Sequence, residues 1–221
     1  MAEAIAALIV LTLLGGQHAA VTVTIVALGD STTAGTPGFL SPLEAPPDGR
    51  GDVQSQYAYW LMRARPGWKV LNRGINGERS DEIRARFERD VIPVRPDVVV
   101  ILAGVNDIYQ GSAAQDVQQN LAWMYDRARA AGIPVVAGSI IPYNTATSDQ
   151  NARMHAVNDW IRRTAAQDPN ITFCDTRRAA ASTDSLDRLS SSPDNLHPTP
   201  DGYRRMAEVI EQAVGEIVKG R

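Results

Sequence analysis

The sequence predicts an α/β protein in which a parallel five-stranded sheet lies between two layers of helices, and three observations carry that prediction. Five β-rich apolar runs recur along the chain, segments with helical spacing separate them, and Pro and Gly fall at the joins. Alternating strand and helix units imply a parallel sheet with right-handed crossovers and helices on both faces. The architecture is a three-layer α/β/α sandwich. At 221 residues the chain suits one domain, expected over residues 21–221.

In chain order, the first feature is an apolar run of 11 residues, 4–14, as long as the core of a secretory signal and short of the ~20 residues that span a bilayer. Glu3 precedes it where a signal carries Lys or Arg, and Gln17-His18-Ala19-Ala20 offers no good small-x-small cleavage pair. Residues 1–20 therefore read as a signal-like segment, which implies a secreted or extracytoplasmic protein. An apolar extension packed on a cytoplasmic domain is the alternative. No stable membrane span is expected.

Strands are predicted over residues 23–28, 69–75, 98–103, 135–140 and 171–175. The third, Val98-Val99-Val100-Ile101-Leu102, is almost continuously apolar, as suits a strand covered on both faces. Helices are predicted over 54–65, 79–89, 113–131, 151–166 and 201–218. Gly132-Ile133-Pro134 ends the third helix, and Pro93 and Pro96 bracket the approach to the third strand. Residues 32–52 are rich in Pro and Gly without periodicity, a loop of about 20 residues, longer than a plain connection and suited to binding or covering.

Charge and composition exclude several functions. With 22 basic and 25 acidic residues and no basic run, nothing resembles a nucleic-acid surface. The single cysteine, Cys174, sits in Ile171-Thr172-Phe173-Cys174 and reads as a buried structural thiol, so no disulfide forms within the chain. Trp60, Trp68, Trp123 and Trp160 fall in or beside predicted helices and read as core packing. One cysteine and three scattered histidines do not make a zinc site.

Sheets of this kind bind ligands beyond the carboxyl ends of their strands, so the loops there carry the chemistry. The first strand ends in Gly29-Asp30-Ser31-Thr32, which presents a serine beside a glycine that lets the chain turn. A neutral serine needs a base within hydrogen-bond reach. His197 is the candidate, in Asp194-Asn195-Leu196-His197-Pro198 between the fifth strand and the last helix. An Asp three residues before a His can fold back to accept its Nδ1 proton, which leaves Nε2 for the nucleophile. Pro198 and Pro200 restrain the loop, and Thr199 is placed to cap the closing helix. Standing alone, the pair would read as a helix-entry motif. His18 lies in the N-terminal extension and His155 in a helix, neither in a strand-end loop with a nearby carboxylate, and both read as structural or solvated.

Acyl transfer also needs donors for a developing oxyanion. Asn72-Arg73-Gly74-Ile75-Asn76-Gly77 follows the second strand and Gly104-Val105-Asn106-Asp107 the third, and Ser31 offers its own amide. In isolation Gly74 and Gly77 would be turn glycines and Asn106 a helix cap. Asp30 and Asp107 are expected to fix their loops by backbone hydrogen bonds. Two other classes compete: a non-catalytic binding module, and a flavodoxin-like nucleotide or flavin binder. The second is disfavoured because Ser31-Thr32-Thr33-Ala34-Gly35 has no P-loop lysine and no G-x-G-x-x-G.

The segments GDST, NRGING, GVND and DNLHP, in that order and each after a strand, resemble the four blocks of the SGNH or GDSL-like hydrolase family. The resemblance runs from Gly29 to Pro198. It implies the SGNH hydrolase fold with a flavodoxin-like sheet, and a serine esterase or acylhydrolase that needs no metal or organic cofactor. It makes Ser31 the nucleophile, with Asp194 and His197 completing the triad, and the Ser31 amide, Gly77 and Asn106 the oxyanion hole. Aligning Asn72 with the leading asparagine of the second block selects Gly77, five residues on, and leaves Gly74 structural. Thr32 stands where Leu is common and Glu78 where Asp is frequent. The G-x-S-x-G elbow of ordinary α/β-hydrolases is absent. Esterases, lysophospholipases, thioesterases and carbohydrate deacetylases share these blocks. A small, short-chain acyl ester is the expected substrate, because the variable loops 32–52, 108–113, 142–150 and 180–193 show no long apolar stretch.

Overall fold

A computed structural model describes residues 23–220, and the expectations for residues 1–20 lie outside them. The chain begins with β1 (Val23–Gly29) and the short helix α1 (Ser31–Ala34), then a ribbon of β2 (Phe39–Leu40) and β3 (Arg50–Gly51). Next come α2 (Tyr57–Ala64), β4 (Trp68–Gly74), α3 (Ser80–Ala85), α4 (Phe87–Asp90), β5 (Val98–Leu102) and α5 (Val105–Tyr109). The second half runs α6 (Ala114–Ala130), β6 (Val135–Gly138), α7 (Ser148–Gln167), β7 (Ile171–Cys174), α8 (Thr176–Ala180) and α9 (Pro200–Lys219).

Five strands pair in parallel in the order β4-β1-β5-β6-β7. The sheet is buried on both faces, and alternation along each strand assigns side chains to two cores. From β1, Val26 and Leu28 join Ile83, Phe87, Leu121, Met124, Val157 and Ile161 of α3, α4, α6 and α7. Val23, Ile25 and Ala27 face the other way onto Tyr57 and Leu61 of α2 and Tyr203, Met206 and Ile210 of α9. All five residues of β5 are buried, as their unbroken apolar run requires. The three-layer α/β/α sandwich expected from the sequence is the observed fold.

The chain leaves β1 for β4 on one side and returns to β5 on the other, so the order reverses between β1 and β5. Crevices beyond the strand ends at such a point bind ligands in open α/β sheets. Ser31 follows β1 and Asn106 follows β5, which puts both at that crevice.

The five strands lie within two residues of their predicted bounds; the helices differ more. The helix predicted over 79–89 breaks at Arg86, whose backbone (φ −100°, ψ 3°) is not helical, and becomes α3 and α4. Thr199 occupies the N-cap of α9 but makes no side-chain capping bond; Pro200 at the first helical position supplies the start instead. The 32–52 loop is braced rather than loose. Ser41 Oγ donates to the Gly74 carbonyl at 2.6 Å, and Glu44 accepts the Asn76 amide at 2.8 Å. Cys174 is buried, and burial pushes its thiol up to about 12, consistent with the structural reading. Among the described residues no helix is long and apolar enough to cross a membrane.

Candidate active site

Four chain segments meet at the carboxyl end of the sheet. Ser31 begins α1, directly after Asp30, whose Oδ1 accepts the Thr32 amide at 2.9 Å and so caps the helix. Gly74 makes this tight turn possible: a Cβ there would lie 2.1 Å from the Ala34 nitrogen. Asn72 braces the same helix, donating to the Ala34 carbonyl at 3.1 Å while its oxygen accepts the Gly74 amide at 2.9 Å. Gly74 is therefore a structural glycine.

The loop after β7 delivers the histidine. Asp194 folds back in an Asx-type turn, its Oδ1 accepting the amides of Leu196 at 2.9 Å and His197 at 2.8 Å. Asn195 takes a left-handed φ of 66°, a conformation that asparagine tolerates better than most residues. The Asn195 carbonyl accepts the Asn144 amide at 2.8 Å, and Asn144 Oδ1 accepts the Leu189 amide at 2.8 Å, so the loop after β6 holds the histidine loop in place. Asn144 was not anticipated from sequence; nothing local marks a residue whose partners lie 45 and 51 positions away.

His197 Nδ1 stands 2.6 Å from Asp194 Oδ2, and Nε2 stands 2.9 Å from Ser31 Oγ. With the Nδ1 proton donated to the carboxylate, Nε2 is free to accept the Ser31 hydroxyl proton. Burial alone would raise the Asp194 carboxyl, but hydrogen bonds from the His197 ring and the two amides hold it below its ordinary value. It stays ionised, as the orienting partner of an imidazole must. Ser31 and His197 are buried at 3% and 5% exposure, which shields their hydrogen bond from competing water.

Three candidate oxyanion donors lie on the segments that follow β1, β4 and β5. The Ser31 and Gly77 amides make no hydrogen bond within the described residues. Asn106 Nδ2 donates once, to the Glu78 carbonyl at 2.9 Å, and keeps a second N–H. Gly77 has a φ of +81° and nothing within 4 Å of where a Cβ would stand, so its backbone is open to a bound group. Asn106 lies inside α5, whose cap is Gly104, and the helix-cap alternative for Asn106 is thereby excluded. Asp107 bonds the Ser80 amide at 2.8 Å, a loop-fixing role like that of Asp30.

All five residues singled out from sequence, Ser31, Gly77, Asn106, Asp194 and His197, are thus gathered at one edge. His155, in α7, has a structural partner, since Nε2 meets Asp187 at 2.7 Å, and Arg177 shares that carboxylate oxygen at 2.7 Å. The carboxylate is 32 residues away in the chain and could not be seen from spacing.

Residues 27–205 match the model of the GDSL-like Lipase/Acylhydrolase family. An acetylxylan esterase from Geobacillus stearothermophilus is 26% identical over 200 residues, covering 80% of this chain and 90% of its own length. The crystal structure of a GDSL-like lipase from Bacteroides thetaiotaomicron VPI-5482 superposes with a TM-score of 0.70 at 24% identity, covering 90% of this chain and 89% of that one. A structure of the Geobacillus acetylxylan esterase gives 0.71 at 21% identity, covering 90% and 96%. A match over most of the chain, together with this fold, places the protein in the GDSL-like lipase/acylhydrolase family, and it is an ester hydrolase.

Proposed function

We propose that the protein is a serine esterase that cleaves short-chain acyl esters through an acyl-enzyme on Ser31. The observation that carries this reading is the hydrogen-bonded line from Ser31 Oγ through His197 to Asp194. Ser31 Oγ attacks the ester carbonyl while its proton passes to His197 Nε2, and Asp194 stabilises the imidazolium. The carbonyl oxygen gains the negative charge and takes hydrogen bonds from the Ser31 and Gly77 amides and Asn106 Nδ2. Collapse of this intermediate expels the alcohol, which receives the proton from His197. Water then gives a proton to His197 and attacks the acyl carbon, and the released serine recovers its proton with the acid as product.

Two features support a small acyl group. The variable loops 32–52, 108–113, 142–150 and 180–193 carry no long apolar stretch to line an alkyl channel. A relative 26% identical over 200 residues is, moreover, an acetylxylan esterase. Tyr109 favours a second, narrower reading, removal of acetyl groups from a carbohydrate. It lies three residues after Asn106, is 54% exposed, and rests edge-on against buried Tyr143 with centroids 5.7 Å apart. A rigid exposed ring one helical turn from an oxyanion donor suits a sugar face.

The test is hydrolysis of p-nitrophenyl esters from acetate to palmitate, beside acetylated xylo-oligosaccharide, by wild type and Ser31→Ala. Turnover falling steeply beyond butyrate and abolished in Ser31→Ala is expected. A maximum at long chains would overturn the substrate reading, and full turnover by Ser31→Ala would overturn the mechanism. Under the carbohydrate reading Tyr109→Ala raises KM for the oligosaccharide by roughly 5–10-fold, the worth of one stacking contact, and leaves the acetate ester unchanged.

A further inference from the structure

Gly77 raises a mechanical question that its own surroundings do not answer. It is exposed, its φ is +81°, and nothing packs within 4 Å of its Cβ position, so no side chain holds its amide toward Ser31. A misplacement of about 1 Å at a reacting centre costs on the order of 100-fold in rate. Something else must hold the segment 77–80.

Two buried groups do so from opposite sides. The Arg86 guanidinium, at the break between α3 and α4 and 6% exposed, uses all three of its nitrogens. Nη2 donates to the Gly29 carbonyl at 2.9 Å, Nε to Glu78 Oε2 at 2.7 Å and Nη1 to Asp90 Oδ2 at 2.8 Å. Gly29 lies two residues before Ser31, and Glu78 is one residue after Gly77. On the other side Asp107, one residue after Asn106, accepts the Ser80 amide at 2.8 Å and the Ser80 hydroxyl at 2.6 Å. Asn120 Nδ2 donates to the same hydroxyl at 3.0 Å. Asn106 closes the frame by donating to the Glu78 carbonyl at 2.9 Å.

We propose that Arg86 and Asp107 are positioning residues of the oxyanion hole: they clamp the segment 77–80 between the nucleophile and Asn106, so that three donors on separate segments converge on one point. The proposal rests on the oxyanion hole assigned under the proposed function. A buried ion pair is by itself weak evidence of stabilisation. Here, however, every one of these bonds except that from Arg86 to Asp90 ends within three residues of one of the three donors. Glu78 is part of the device, since its side chain spans from the Gly77 turn to Arg86. Arginine is required because only its planar fork reaches a carbonyl and two carboxylates at once; lysine presents a single point charge.

The test compares Arg86→Lys and Ser80→Ala with wild type and Asn106→Ala. Readouts are kcat and KM on a p-nitrophenyl ester, and affinity for a trifluoromethyl ketone with the same acyl group, which adds Ser31 Oγ and presents an oxyanion to the hole. Expected is a kcat lower by roughly 10–100-fold with KM nearly constant, and ketone affinity lower by the same factor. Combining either change with Asn106→Ala should cost less than the product of the two losses. Wild-type kcat in both folded variants, or a lost kcat with unchanged ketone affinity, overturns the proposal. Where Arg86→Lys does not fold, Ser80→Ala, which removes one hydroxyl, decides it. Wild-type turnover by Asn106→Ala would instead overturn the oxyanion hole itself.

Discussion

Asp30 immediately precedes Ser31, the proposed nucleophile, and is almost fully buried. Burial pushes its carboxyl up to about 7, against the opposing bond from the Thr32 amide. In the unfolded chain the same group titrates near the ordinary carboxylate value, so the folded state holds its proton more tightly. Its contribution to stability is full below about pH 4 and is lost as pH rises through about 7. Asp30→Asn keeps an acceptor for the Thr32 amide and removes the titration. Between pH 5 and pH 8 it should lose about 2 kcal/mol less stability than wild type, measured by urea unfolding at both values. Equal losses would contradict the assignment. At Asp194 the chemistry runs the other way, because hydrogen bonds outweigh burial and keep the carboxylate charged. Asp194→Asn should lower kcat by roughly 100–10,000-fold with little change in KM, since it disturbs the tautomer and charge of His197 rather than substrate contact.

At the scale of elements, the close approach of α1 to β4 separates two glycines that look alike in sequence. Gly74 has no room for a Cβ because the Ala34 backbone lies 2.1 Å away, whereas Gly77 has open space and only a positive φ to defend. Gly74→Ala should therefore destabilise by about 3 kcal/mol or more and displace Ser31, while Gly77→Ala costs about 1 kcal/mol in strain. Thermal unfolding of the two variants reads the difference directly, and equal costs would show that the α1–β4 contact is not as tight as described. That Gly74 is the structural one was legible only through alignment with the four-block pattern, not through turn propensity. The helices α1, α5 and α8, of four or five residues each, carry too little periodicity to be seen, although two of them hold Ser31 and Asn106. The break at Arg86 was hidden for a related reason: in an uninterrupted helix its charge reads as a solvated face, and only the tertiary bonds to Gly29, Glu78 and Asp90 turn it inward.

Across the whole molecule, the alternation of strand and helix was legible because helices cover both faces of the sheet and its central strand β5 is an unbroken apolar run. Strand order was not, since neither composition nor spacing says which strand neighbours β1. That order creates the crevice, and it brings Ser31 to His197 across 166 residues of chain. The cores beneath have only to be stable for the loops to hold this geometry. Ile101, fully buried in β5 with its side chain in the core under the sheet, should cost about 2–5 kcal/mol on change to Ala while kcat of the folded protein stays near wild type. A matching loss of kcat at a temperature where the variant is fully folded would show that core packing and site geometry are coupled.

The proposed acylation of Ser31, activated by His197, is tested by intact-protein and peptide mass spectrometry after treatment with a fluorophosphonate. One adduct per chain, mapped to Ser31, absent in Ser31→Ala and formed at least about 100-fold more slowly in His197→Ala, is the expected result. A folded wild-type protein that takes no label, or takes it on another residue, would contradict the claim.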